Sequence, residues 1–293
     1  MEVTIIKNYR ENEMLRCSFC ELAMKTFGID FESWYENGFW TDRYNPYSVL
    51  LDGRIVANVS VNRMEMYTPG KTFHFIQLGT VMTDEKHRNK GYIRMLMEEI
   101  FRDYEKNTDG FYLFANDTVC EFYPKFGFEP AQEFRMEKHE KAEEWSADVS
   151  EACYVPLATW EDWDAFQGHI ERSVPNSRFE MRDNAQLAMF YLSSVMKDNL
   201  YYVESEEAFS VAEISGNQLF LTAVYADHIV DLNRIIAAFG KEIEEVKLGF
   251  TPLEKNGFVA VPYKEEDCTL FLKGKGFEEY RKDMLRFPVL SHA

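Results

Sequence analysis

The chain has 293 residues, 46% hydrophobic and 15% aromatic, enough to bury an ordinary core and too apolar for a disordered chain. Fifty acidic against 32 basic side chains give a net charge of −18, of which residues 1–146 carry −7 (18 basic, 25 acidic) and residues 147–293 carry −11 (14 basic, 25 acidic). Acid spread over both halves with no basic stripe argues against nucleic acid and anionic membrane as partners; it would draw in a cationic substrate, although a solvated acidic surface explains the same balance.

In chain order, Val3–Lys7 reads as a strand and Asn12–Glu36 as helix, broken at Gly28. Tyr47–Leu51 and Arg54–Met66 flank Asp52-Gly53, a hairpin turn, and Lys71–Met82 follows a second turn at Thr68-Pro69-Gly70. A helix is expected from Gly91 to about Lys106, a short strand over Phe111–Ala115, a second helix over Asp117–Lys125 ending at Gly127, and a strand over Phe128–Lys138. The acidic stretch Glu137–Ser150 reads as a solvated connector. Beyond it come helices Trp160–Arg172 and Asn184–Lys197 and strands Leu200–Ser205, Ala208–Ile214 and Gln218–Tyr225. A helix over Asp227–Phe239 and strands at Glu245–Thr251, Thr269–Leu272 and Met284–Phe287 complete the reading. The second half thus repeats the element order of the first with little residue identity, which points to an internal duplication split at 1–145 and 146–293.

The five cysteines (Cys17, Cys20, Cys120, Cys153, Cys268) form no disulfide framework, and Cys17-x-x-Cys20 sits in a helical stretch without further ligands, so helix packing is favoured over metal or redox chemistry. No leader and no run near ~18 apolar residues is present, so a cytoplasmic location is expected.

The informative segment is Thr80–Tyr92, TVMTDEKHRNKGY, in which a strand passes through an acidic turn into Arg88-x-x-Gly91 and a helix. The mouth of a helix has backbone N–H groups without intrahelical partners, and its dipole favours anions, as a pyrophosphate site needs. Gly91 lets the backbone come close, and Arg88 and Lys90 add charge-assisted bonds. The corresponding junction of the second half, VYADHIVDL, has neither Arg nor Gly, so no phosphate is expected there.

The order strand, Arg88-Asn-Lys-Gly91-Tyr, helix, strand ending at Asn116, then Phe122-Tyr123-Pro-Lys-Phe126-Gly127-Phe128, resembles the GNAT superfamily of acyl-CoA-dependent N-acetyltransferases. The resemblance covers residues 1–140; over 150–293 it rests on element order, like tandem GNAT proteins in which one copy has lost its cofactor loop. Ile93 departs from the family's Gly or Ala at that place. The resemblance implies an α/β fold of two GNAT-like domains, each with a mixed, largely antiparallel sheet flanked by helices. It implies acetyl-CoA as co-substrate and no metal. It also implies that Val81 and Thr83 pair with the pantetheine arm, that Arg88, Asn89, Lys90, Gly91, Tyr92 and Ile93 hold the pyrophosphate, and that Asn116 meets the cofactor's amides. Tyr123 would be the general acid beside the sulfur, against the plainer reading of a buried aromatic.

The expected activity is acetyl transfer to a primary amine of a small, cationic molecule. A non-catalytic acyl-CoA sensor is the alternative, and a purely structural pair of domains a third reading. For the base, Glu65, His74, Gln77 through a water, and a chain-terminal carboxylate of the kind found in Eis-type relatives all stay open; for the last, deleting the final three residues should cripple turnover. The aromatic segment Phe27–Tyr47 fits core packing or an acceptor pocket. Homo-oligomerisation is left open.

Overall fold

A computed structural model describes residues 3–139, 149–255 and 257–292. The first half runs β1 (Val3–Ile6), α1 (Glu13–Phe27), α2 (Glu32–Glu36), β2 (Tyr44–Leu51), β3 (Arg54–Thr68), β4 (Lys71–Thr83), α3 (Tyr92–Tyr104), β5 (Gly110–Ala115), β6 (Glu129–Pro130) and β7 (Glu133–Lys138). The second runs β8 (Cys153–Tyr154), α4 (Trp160–Arg172), β9 (Glu180–Arg182), α5 (Ala185–Leu192), β10 (Leu200–Val203), β11 (Ala208–Ser215), β12 (Gln218–Tyr225) and α6 (Leu232–Ala237). It ends with β13 (Glu245–Leu248), β14 (Val259–Tyr263), β15 (Thr269–Lys273) and α7 (Glu278–Lys282).

Local chemistry sets the helix ends. Asn12 accepts the Leu15 N–H at the start of α1, and Thr159 and Asp162 form a reciprocal capping box on α4. In α3 the buried Leu96, Met97 and Ile100 form one stripe that packs on β2, β3 and β4.

Two mixed sheets flanked by helices result. The first has the order β1-β2-β3-β4-β5-β15-β6, with β9 added to the end of β3; the second has the order β14-β7-β13-β12-β11-β10-β8. Each is antiparallel apart from one parallel pair, β4–β5 in the first and β12–β13 in the second. The sheets exchange strands. β7 follows β6 after two residues yet pairs with β13 and β14 in the second sheet. In return β15, from the far end of the chain, lies between β5 and β6, with Thr269 opposite Ala115 and Lys273 opposite Phe111.

Several expected elements differ. The helix over Asp117–Lys125 is replaced by two 3-10 turns, Asp117–Val119 and Tyr123–Phe126. Pro124 has no N–H to give and disfavours helix at the residue before it, while the Asp117 N–H is taken by the Asp267 carboxylate at 2.7 Å. The strand over Phe128–Lys138 breaks at Ala131-Gln132, where the chain changes sheets. Met284–Phe287 is no strand: Met284 has φ 52°, and the segment turns into a tail lying across the second sheet. The helix over Asp227–Phe239 begins only at Leu232, where Asp231 accepts the Asn233 N–H. The connector loses Glu137 and Lys138 to β7, and its residues 140–148 lie outside the described residues.

The core does not divide at the midpoint of the chain. Phe31, Trp34 and Tyr44 share one buried cluster with Phe166, Leu192, Val211 and Leu290. On the other face of the first sheet, the α3 stripe packs with Val59, Val61, Leu113 and Tyr123. Among the described residues no helix is long and apolar enough to cross a membrane.

Candidate functional site

The start of the loop from β4 to α3 is fixed by Asp84. Asp84 accepts the Lys86 N–H at 3.0 Å and pairs with Lys25 at 2.8 Å, fixing a 3-10 turn over Glu85–His87. Asn89 (φ 62°) and Gly91 (φ 80°) then take left-handed conformations, which Gly and Asn adopt most readily. The first bond of α3 runs from Met95 N–H to the Gly91 carbonyl, and no side chain caps this end. The N–H groups of Tyr92, Ile93 and Arg94 are therefore free of intrahelical partners at the positive end of a 13-residue helix. Arg88, Asn89 and Lys90 are exposed beside them, and Lys90 Nζ lies 3.3 Å from His87 Nδ1. Tyr92 and Ile93 are half-buried against the α3-side core, so the departure at Ile93 puts its side chain into packing.

The strand feeding this loop has a bulge. β4 pairs with β5 only at Phe75, Ile76 and Gln77; beyond that the two parallel strands part. On its other side the ladder runs Ser60↔Gly79 and then Asn58↔Met82, so Thr80 and Val81 together oppose Val59. Thr80 has φ 47°, rare for a β-branched residue, and is held by its neighbours: Asn58 Nδ2 donates to its carbonyl at 2.9 Å and Tyr44 Oη lies 2.6 Å from its hydroxyl. At the bulge, Thr80 and Val81 face opposite sides of the sheet. Val81 packs with the α3-side cluster, whereas Thr80 joins the face covered by α1, α2 and α5.

Tyr123 belongs to the same cluster as Val81 and Ile93 and packs against Phe122, Phe128 and Phe271. Burial, with a lesser push from Cys120, raises its phenol to about 12, and its hydroxyl has no hydrogen bond among the described residues. Thr83 is half-buried near the end of β4, opposite Ala57. Asn116 directly follows β5, but its amide is already donated to the Asp267 carboxylate at 2.7 Å.

On the Thr80 side lies a cavity of about 230 Å3 lined by Phe27, Ile29, Phe31, Trp34, Tyr44, Leu187, Phe190, Tyr191 and His292 besides Thr80. Part of the aromatic segment thus does both jobs, packing as core and walling a cavity, while Tyr47 faces the other way and donates to Asp103. Two of the expected base candidates are elsewhere: Glu65 and His74 face each other across the β3–β4 hairpin, six residues and roughly 20 Å along the strand from the bulge. Gln77 is buried between β3 and β5. A chain-terminal carboxylate would sit on Ala293, outside the described residues, although His292 reaches the cavity. Leu187, Phe190 and Tyr191 are not evident in the sequence because they come from the other half of the chain, with Phe190-Tyr191 carrying only a compositional hint, and the tail that bears His292 is singled out there only for its terminal carboxylate.

Comparison with known proteins agrees with this geometry. Residues 11–131 match the family model described as an acetyltransferase (GNAT) domain. Those residues are a GNAT domain. No curated protein matches the sequence. Among solved structures, one from Enterococcus faecalis V583, described as a conserved protein of unknown function and probable N-acyltransferase, is 14% identical. It aligns over 96% of this chain and 74% of its own with a TM-score of 0.60. A GCN5-related N-acetyltransferase from Kribbella flavida is 13% identical over 92% of this chain and 70% of its own (TM-score 0.57), and Eis1 from Mycobacterium abscessus is 11% identical over 92% and 72% (TM-score 0.57). At such identities these likenesses carry the fold.

The GNAT domain's split between β4 and β5 has a counterpart in the second sheet. There β12 and β13 pair in parallel from Gln218↔Glu245 to Leu221↔Leu248 and then part. The chain's own tail lies in the gap: Val289 N–H donates to the Gly249 carbonyl at 3.1 Å and Arg286 N–H to the Thr251 hydroxyl at 2.9 Å. A Cβ on Gly249 would stand 2.8 Å from the Thr222 carbonyl oxygen and 3.1 Å from the Val289 side chain, so only glycine fits between strand and tail. The outer mouth is crossed by Val174 N–H to Ala226 O and Arg178 N–H to Thr251 O, both 2.8 Å.

Proposed function

We propose that the protein transfers an acetyl group from acetyl-CoA to a primary amine by direct attack. The observation that carries this reading is the Thr80–Val81 bulge at the point where β4 and β5 part. β4 leads from it to the Arg88–Ile93 loop, and on the Thr80 face it opens into the aromatic cavity. Free N–H groups at the start of α3, flanked by Arg88, Asn89, Lys90 and Gly91, suit a pyrophosphate. Val81 and Thr83 would offer backbone groups to the pantetheine arm, and Asn116 its remaining polar capacity to the arm's amides. The neutral amine attacks the thioester carbonyl from the Thr80 side. Backbone N–H donors near Val81 stabilise the oxyanion, the C–S bond breaks as the amide forms, Tyr123 gives its proton to the departing sulfur, and the proton shed by the attacking nitrogen passes to solvent water, from which Tyr123 is reprotonated. A phenol raised to about 12 stays protonated at neutral pH, so its proton moves only as the thiolate develops. The acidic surface favours approach of an ammonium ion.

We further propose that residues 146–293 are a degenerate second copy, supported by the matching parallel pair and split, and that the tail takes the place a cofactor arm would need there. The distance of Glu65 and His74 from the bulge favours one other reading, a non-catalytic acyl-CoA binder. Calorimetric titration with acetyl-CoA, followed by thiol release with a panel of amines, tests both. Binding with turnover supports the transferase, binding without turnover on any amine the sensor, and absence of binding removes both.

A further inference from the structure

The cavity beside Thr80 carries a statement about the acceptor, resting on the transferase reading above. None of its ten lining residues is Asp, Glu, Lys or Arg. Its walls are aromatic and aliphatic, and the rings hold one another in place: Phe31 stacks on Tyr44 at 5.6 Å, Trp34 meets Phe190 edge-on at 5.7 Å, and Trp34 Nε1 donates to the Gln186 carbonyl at 3.1 Å. Phe31, Trp34 and Tyr44 are each 5% exposed or less, so the pocket is formed before anything enters it. Its floor comes from the second half. Tyr191 Oη donates to the His292 carbonyl at 2.6 Å, and the His292 ring stacks on Phe114 of β5 at 3.7 Å.

We infer that the acceptor is a primary amine carried on an aromatic or branched apolar body, which this cavity receives while the amine points at the bulge. A polyamine or aminoglycoside would have to bury several ammonium groups with no carboxylate in the wall to offset their lost hydration. A single ammonium arriving at Thr80 has one charge to shed and gives its proton to water before attack. The acidity of the molecule then acts at long range, drawing amines in without choosing among them. The choice is made jointly by α1, α2 and β2 of the GNAT domain and by α5 and the tail of the second half.

The experiment compares kcat/KM with acetyl-CoA for 2-phenylethylamine, isoamylamine, spermidine and an aminoglycoside, in the full chain and in Phe190→Ala and Ile29→Trp. Expected is a preference of at least about a hundredfold for the two apolar amines. KM for 2-phenylethylamine should rise about tenfold in each variant when assayed well below its Tm, with the acetyl-CoA dissociation constant holding as the control for folding. Spermidine or the aminoglycoside turning over as well as the apolar amines overturns the inference and leaves the transferase reading standing. Variants that alter the preference for acyl-chain length, with amine preference unchanged, also overturn it, because the cavity would then house the acyl group. Acetyl-CoA binding with no turnover of any amine sinks both readings together.

Discussion

The Tyr123 hydroxyl has no hydrogen bond among the described residues, its ring shares an apolar cluster with Val81, and burial is the first cause of its raised pKa. The proton-donor role therefore makes a pH prediction of definite sign. A phenol held near 12 keeps its proton across the whole working range, so it produces no falling limb below that value. The attacking amine, with an ordinary value of about 10, supplies a rising one. We expect kcat/KM to climb with pH from 6 to 9.5 in the wild type. Tyr123→Phe should lower kcat about a hundredfold at every pH while leaving acetyl-CoA affinity within about twofold. A Phe variant with unchanged kcat would make Tyr123 a packing residue. At this scale the sequence was partly readable. Arg88-x-x-Gly91 marks the turn and helix start that the fold has there, since a left-handed residue before a helix suits glycine. Thr80 marks nothing of the kind, because a β-branched residue gives no sign that it will adopt φ 47°; the bonds from Asn58 and Tyr44 that impose it come from other strands.

At the scale of elements, the exchange leaves marks on single strands. β7 carries Glu133 into the packed region beside α7 and the tail, 5% exposed, with Oε1 unpartnered and its pKa pushed up to about 7 by burial against the opposing pull of Arg286. A carboxyl whose folded value lies above its ordinary 4.5 favours folding while protonated. That contribution is complete below about pH 4.5 and is lost as pH rises to about 7. The wild type should lose roughly 2–3 kcal/mol across that window relative to Glu133→Gln, measured by denaturant unfolding at pH 4.5 and 7.5. Parallel curves for the two proteins would show that Glu133 is ionised throughout.

The tail makes a second prediction at this scale. Gly249→Ala forces a Cβ between Thr222 and Val289. A cost of about 1–3 kcal/mol is expected, together with a raised KM for the amine, because the displaced tail carries His292 away from the cavity floor. Acetyl-CoA affinity should hold. Hydrophobic alternation revealed where most strands lie, including β12 to the residue, but the same alternation serves in either sheet. Nothing in Glu133–Lys138 or Thr269–Lys273 says which strand they will pair with, and Pro124 was the one local warning that the segment after Asn116 would not be an α-helix.

For the molecule as a whole, the exchange has a consequence that a simple tandem of domains lacks. A cut at 145/146 gives one fragment containing β7 without its partners β13 and β14, and another containing β15 without β5 and β6. The edge of β5 exposed in the first fragment is a run of apolar residues, Phe111 to Ala115, buried apart from a half-buried Phe114, of the kind that templates aggregation when left unpaired. The shared cluster of Phe31, Trp34, Leu192 and Leu290 would be opened as well. Residues 1–145 produced alone should therefore be insoluble or self-associated and should bind acetyl-CoA poorly, even though they include every residue assigned to the cofactor site. Producing them together with 146–293 should restore a 1:1 complex, through mutual return of β7 and β15, with acetyl-CoA affinity within about threefold of the intact chain. Size-exclusion chromatography with calorimetry distinguishes the outcomes. A monomeric first fragment that binds acetyl-CoA normally would mean that β15 is dispensable to the GNAT sheet, and that the second half serves the acceptor side alone.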